Sequence, residues 1–139
     1  MKKIIIMCVS ALTCIFVNAQ QEAHLEEVQA LYIYNFARNT GWPAEDINKD
    51  LVITVFGSKP LASELKKMSE TKNIGRRKVV VKEARNVSEV TSSDIVFVAT
   101  SKSSHMAELL SSMQGEKTLY ICGKSGMCSN GASIAFTMA

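Results

Sequence analysis

The chain is poor in the residues that carry catalysis and metal binding. Among 139 residues it has two histidines, His24 and His105, and four cysteines, two of which, Cys8 and Cys14, fall in the first apolar run. A structural zinc site takes about four Cys or His ligands, and beyond Cys122 and Cys128 only the two histidines are on offer. No pair of carboxylates stands out for acid–base work. Gly-x-Ser-x-Gly is missing, because Ser125 is followed directly by Gly126. Gly123-Lys124-Ser125 imitates the end of a P-loop, but position 118 is Thr118 where that motif needs its first glycine. His105 beside Ser103 and Ser104 makes no base–nucleophile pair, since sequence neighbours on a helix do not face each other. Charge of one sign is also scarce: 16 Lys and Arg stand against 13 Asp and Glu. A nucleic-acid binder needs a strong basic footprint, so that class is set aside. No internal repeat or low-complexity stretch interrupts the chain. These absences leave no cofactor, no metal and no catalytic set to assign.

What is present begins with a leader. Lys2 and Lys3 precede an apolar run from Ile4 to Val17, and Val17-Asn18-Ala19 supplies small or tolerated residues for cleavage. The run is shorter than the about 20 residues of a spanning helix, and Ala11-Leu12-Thr13 before Cys14 is a poor lipobox. Residues 1–19 therefore read as a signal peptide cleaved near Ala19, which leaves residues 20–139 as one exported domain with one core. No later apolar span follows.

Beyond the leader, buried-strand runs alternate with helical stripes. Leu51–Phe56, Lys78–Lys82, Asp94–Ala99 and Thr118–Cys122 are apolar runs of strand length. Ala132 to Met138 alternates like a half-exposed strand. Pro60 suits a helix start carrying Leu61, Leu65 and Met68, and Ser103 or Ser104 can cap a helix carrying Met106, Leu109, Leu110 and Met113. Residues 83–93 give the weakest helix. The pattern predicts a single three-layer α/β domain with a mainly parallel sheet of about five strands, in Rossmann-like or flavodoxin-like order 2-1-3-4-5, with room for an antiparallel strand at the edge.

The most informative stretch runs from Ala30 to Pro43. From Val28 to Ala37 only Gln29 and Asn35 are polar. A helix apolar nearly all round needs cover on more than one side, and Leu31, Tyr32, Ile33, Tyr34 and Phe36 cannot all face one sheet. Gly41-Trp42-Pro43 then stops it. Tyr32-x-Tyr34-Asn35-Phe36 followed by Trp42-Pro43 resembles the N-terminal signature of the YfiR-like family, and the resemblance extends from about Val28 to Met138. It implies a small periplasmic protein that inhibits a membrane-bound diguanylate cyclase by docking on its periplasmic domain. Leu31, Tyr32, Tyr34, Phe36 and Trp42 are the expected partner or dimer surface. Members of that family continue with another strand and a C-terminal helix, so residues 20–139 also read as a domain shortened at its C-terminus.

Three weaker signals remain. Residues 59–85 hold Lys59, Lys66, Lys67, Lys72, Arg76, Arg77, Lys78, Lys82 and Arg85 against Glu64, Glu70 and Glu83, whereas residues 20–58 are acidic in balance. Such a division either steers a partner or second subunit or is an ordinary solvated face. Ser58, Thr100, Ser101 and Lys102 follow strands, at the carboxyl ends where α/β sheets bind ligands; they line an anion pocket or simply cap helices. Cys122 and Cys128, close together in an exported chain, read as a disulfide worth about 2 kcal/mol, with two free thiols as the alternative. The resemblance supports the bond. The favoured function is repression of an inner-membrane signalling enzyme, with a periplasmic small-ligand binder or a sensor-kinase accessory protein as alternatives and an enzyme set aside.

Overall fold

The computed structural model describes residues 24–137. The expected leader, residues 20–23, Met138 and Ala139 lie outside them. The first helix, α1, covers 24–39. It is followed by β1 (Leu51–Phe56), α2 (Lys59–Ser69), β2 (Val79–Ala84), β3 (Ile95–Val98), α3 (Met106–Ser112), β4 (Leu119–Cys122) and β5 (Ile134–Ala135), with short 3-10 segments between several of them. The sheet order is β2-β1-β3-β4-β5, and all neighbours run parallel.

Both faces of this sheet are covered, which explains the unbroken apolar strands. Period-two alternation divides their side chains. Leu51, Ile53, Val55, Ile95, Phe97 and Ile121 pack with Ala30, Ile33, Tyr34 and Ala37 of α1 and with Leu61, Ala62 and Leu65 of α2. Phe56, Val96, Val98, Tyr120 and Cys122 pack with Met106 and Leu109 of α3 and with Met113 just past its end, on the other side. The result is three layers, as the residue pattern predicts. Thr54 is the polar exception within β1; its hydroxyl lies 2.7 Å from the Ser93 hydroxyl, which itself donates to the Thr91 carbonyl at 2.7 Å, so a buried polar atom is satisfied.

Four sequence expectations are corrected. No α-helix joins β2 to β3; the connection holds only a 3-10 turn at Val87–Glu89. Its start is fixed by the Glu89 carboxylate, which accepts the Arg85 amide at 2.7 Å and the Asn86 side chain at 3.2 Å, and Val87 and Val90 reach the second core. Neither Ser103 nor Ser104 caps α3, because Thr100–His105 winds as a 3-10 helix first and no side chain caps α3. β5 is parallel to β4, not antiparallel, since residues 123–133 carry the chain back over the second face, where Met127 and Ala132 are buried. It is also shorter than the alternation from Ala132 suggests.

Gly57 ends β1 at φ 92°, a left-handed conformation that costs a residue with a Cβ. A Cβ there would collide with Cγ of Lys102 and stand 3.4 Å from Cβ of Ala99. The exits of β1 and β3 therefore approach each other only because this residue is glycine. Gly57→Ala is expected to lower stability by about 1–3 kcal/mol, measured as the urea unfolding midpoint; an unchanged midpoint would contradict the close approach.

Candidate functional site

Helix α1 buries one stripe, not two. Ala30, Ile33, Tyr34 and Ala37 fall at helical spacing, and each is 6% exposed or less. The rest of its apolar surface forms two shoulders. On one, Tyr32 stacks on Phe36 with centroids 6.2 Å apart, and both meet Phe136 beyond β5 at 6.0 and 6.3 Å. Phe97 continues the cluster at 6.2 Å from Phe136. Tyr32 nevertheless stays 50% exposed, and Leu31 on the other shoulder is 44% exposed. Of the expected surface, Leu31 and Tyr32 are thus outward, Phe36 and Trp42 half-buried, and Tyr34 inward.

The end of α1 is closed by side chains. A helix leaves its last carbonyls without intrahelical donors. Here Asn39 Nδ2, Thr40 Oγ1 and Trp42 Nε1 donate to the carbonyls of Asn35, Phe36 and Ala37, each at 2.7 Å. The Trp-Pro stop is therefore a cap as well as an apolar surface. The Arg77 guanidinium lies 5.7 Å from the Trp42 ring, within cation–π range.

Arg77 is the residue that sequence reasoning missed. Counted there as one basic residue among nine, it is 5% exposed. Its Nε donates to the Lys49 carbonyl at 2.9 Å, and its Nη2 donates to the Asp50 carbonyl and to both Asp94 carboxylate oxygens at 3.0 Å. Asp94 also accepts the Val52 amide at 2.8 Å. The available signal was a lone carboxylate set directly before an all-apolar strand. Around this pair, at the amino ends of the strands, lies a cleft of about 430 Å³ lined by Asp46, Asp50, Asp94 and Glu116 against Lys49, Arg77 and Lys117. Its charges largely neutralise one another.

The carboxyl ends of the strands form a second, smaller cleft of about 220 Å³. Ser58, Thr100 and Ser101 meet there with Phe97, Gly57 and Gly123 under Leu25, Glu26 and Gln29 of α1. The structure thus brings together three of the four expected loop residues, at the switch point between β1 and β3. Lys102 is not among its walls; its stem crosses Gly57 and its Nζ lies 5.7 Å from the Phe56 ring. The Ser58 hydroxyl accepts the Leu61 amide at 3.4 Å, as a helix cap. Among the described residues the only ionisable side chain lining the cleft is the Glu26 carboxylate, which repels an anion. Both cysteines are free thiols here: Cys122 is buried in the second core and Cys128 exposed on the 3-10 turn Met127–Asn130. The expected bond is thus absent from the structure, with one thiol turned into the core and the other toward solvent. Among the described residues no group of three or more His, Cys, Asp or Glu side chains is placed to hold a metal ion.

With this geometry in place, the comparison with known families is direct. The sequence profile of the YfiR/HmsC-like family matches residues 26–139, the great majority of the chain. The chain belongs to the YfiR/HmsC-like family, whose proteins are periplasmic regulators rather than enzymes. Compared with curated proteins, it has no match. Among the described residues no helix is long and apolar enough to cross a membrane.

Tyr34 offers a test of how α1 sits. Its hydroxyl is buried with no hydrogen-bond partner, and desolvation pushes its pKa up to about 12. Burying an unpaired hydroxyl is costly, so Tyr34→Phe should leave stability unchanged or raise it by about 1 kcal/mol. The sign of the pH effect follows from linkage. Between pH 10 and about 12 the unfolded phenol ionises while the folded one stays protonated, so stability falls as pH rises through that window. Tyr34→Phe should remove that alkaline loss in urea titrations. A variant less stable than wild type at neutral pH would contradict the orphaned hydroxyl.

Proposed function

We propose that this protein represses an inner-membrane signalling enzyme, a diguanylate cyclase, by docking on its periplasmic domain. The observation that carries the reading is the family match over residues 26–139. Two features support it. The signature helix α1 keeps Leu31 and Tyr32 outward beside a partly exposed aromatic cluster, and aromatic side chains at a surface are common anchors of protein interfaces. Among the described residues no histidine lines either cleft at the ends of the sheet, and the hydroxyl that meets a carboxylate there, Ser92 donating to Glu116 at 2.9 Å, belongs to an exposed pair at the rim of the larger one.

Repression works as a population shift. The regulator binds the inactive form of the sensor domain more tightly than the active form. A tenfold preference corresponds to about 1.4 kcal/mol, within the reach of a few buried aromatic contacts. The reading as a small-ligand receptor has less support, because the carboxyl-end cleft is small, carries Glu26, and uses Ser58 for capping.

Deleting the gene is expected to raise cyclic-di-GMP and surface attachment, and restoring only the exported protein to reverse both. Unchanged cyclic-di-GMP under several envelope conditions would overturn the cyclase reading and favour a sensor-kinase or ligand-receptor role.

A further inference from the structure

Two clefts on the flank of α1 share Arg38 and Ile74 and so form one groove. The first, about 220 Å³, runs from Leu31 past Tyr34 to Lys72. The second, about 330 Å³, runs from Arg38 past Trp42 and Ile47 to Arg76 and Arg77. Three independent features converge on it.

The first is charge. Among the described residues the ionisable walls other than Tyr34 are Arg38, Lys72, Arg76 and Arg77, and no carboxylate lines either cleft. Arg77 is paired with Asp94. Arg38, Lys72 and Arg76 make no ion pair among the described residues, and Arg38 bonds only the neutral Asn35 side chain at 2.8 Å. Elsewhere Lys49, Lys67 and Lys117 sit beside carboxylates, whereas Lys59, Lys78, Lys82, Arg85 and Lys124 also make no ion pair among the described residues, so what marks the groove is that three such cations gather along one cleft. The second feature is apolar surface. Leu31 and Ile47, at 44% and 47% exposed, are two of the three large hydrophobic side chains exposed among the described residues, and each lies in one half of the groove. The third is unmet hydrogen bonding. Among the described residues the buried side-chain atoms without a partner are Tyr34 Oη and Arg77 Nη1, both on residues that line it.

We infer that this groove is a docking site for an acidic protein segment that carries large apolar side chains. Apolar residues of the segment cover Leu31, Trp42 and Ile47, while its carboxylates face Arg38, Lys72 and Arg76. Carboxylates suit guanidinium groups, which offer two parallel N–H donors. An opening of the groove by the segment would let an oxygen acceptor reach Arg77 Nη1 or the Tyr34 hydroxyl. Identifying the segment's owner as the regulated enzyme rests on the proposed function; the binding chemistry does not.

The test uses the exported full chain and its single tryptophan, Trp42. A short peptide of Asp, Glu and Leu is titrated while Trp42 emission is followed, beside a version with Ser for Leu and a version with Lys for the acids. The expected result is saturable binding of the first peptide alone, weakened by about tenfold or more in Arg38→Glu/Arg76→Glu. Both reversed residues are exposed, so the variant should keep the wild-type unfolding midpoint. No saturation at millimolar peptide, equal binding of the serine version, or equal affinity of the double reversal would each overturn the proposal. A dimer that the double reversal dissolves would put a second copy in the groove and overturn it as well. In cells, wild type that lowers cyclic-di-GMP alongside a double reversal that lowers it equally sinks the groove and leaves the regulator reading standing. Wild type without effect on cyclic-di-GMP, beside intact peptide binding, sinks the regulator reading and leaves the groove.

Discussion

The pair of the buried Arg77 and the partly buried Asp94 ties the amino end of the sheet together. Asp94 stands at the entry to β3, yet its carboxylate accepts the Val52 amide from β1, its own amide donates to the Val52 carbonyl at 2.9 Å, and its carbonyl accepts the Leu119 amide of β4 at 2.9 Å. Arg77, just before β2, fixes the Lys49 and Asp50 carbonyls at the entry to β1. Four strand entries thus meet around one ion pair. A charge withdrawn from water, as the Arg77 guanidinium is, costs several kcal/mol, and that cost is offset only with good geometry and further hydrogen bonds. Here the five hydrogen bonds of the pair to one another and to the backbone supply them.

The same guanidinium carries the sheet's geometry outward to the surface. It lies beside the Trp42 ring, and the Trp42 indole closes the end of α1 through the Ala37 carbonyl. The angle at which the signature helix leaves the sheet is therefore tied to the charge pair beneath it. The half-buried Trp42, the outward Leu31 and the unpaired Arg38 and Arg76 all stand on that frame. In this protein the interaction that organises the core also shapes the face offered to a partner, so a change at Arg77 would be felt at both.

The regular part of this fold was legible because it depends on short-range pattern. Strands buried on both faces are continuous apolar runs such as Ile95–Val98, and their alternation with helices leaves few sheet orders open. The family signature around Tyr32 and Trp42 was legible for the same local reason. Features set by distant contacts were not. The isolated bridge between Ile74 and Arg77 and the 17 residues separating Arg77 from Asp94 hide their pairing from any local window. Residues 83–93, between β2 and β3, read as the weakest helix, and there Val87 and Val90 reach the second core through a 3-10 turn instead. The two shoulders of α1 were half visible: an excess of apolar residues showed in the sequence, whereas the outward position of Tyr32 and the inward position of Tyr34 depend on where the helix meets β1 and β3. The loop residues were found by their place after strands, and Lys102 was lost from the cleft only because Gly57 leaves room for its stem.

The central claim is that one charge pair holds both the strand entries and the signature helix. A double-mutant cycle with Arg77→Met, Asp94→Leu and the combination tests it most directly, read by urea unfolding and by native Trp42 emission. Asp94→Leu strands the buried Arg77 guanidinium and should cost about 3–5 kcal/mol; Arg77→Met leaves the partly exposed Asp94 carboxylate and should cost less, while the combination, which removes both charges, should recover much of the loss. Trp42 emission should shift in both variants that lack Arg77. Additive single effects, or single costs below about 0.5 kcal/mol with unchanged emission, would contradict the account.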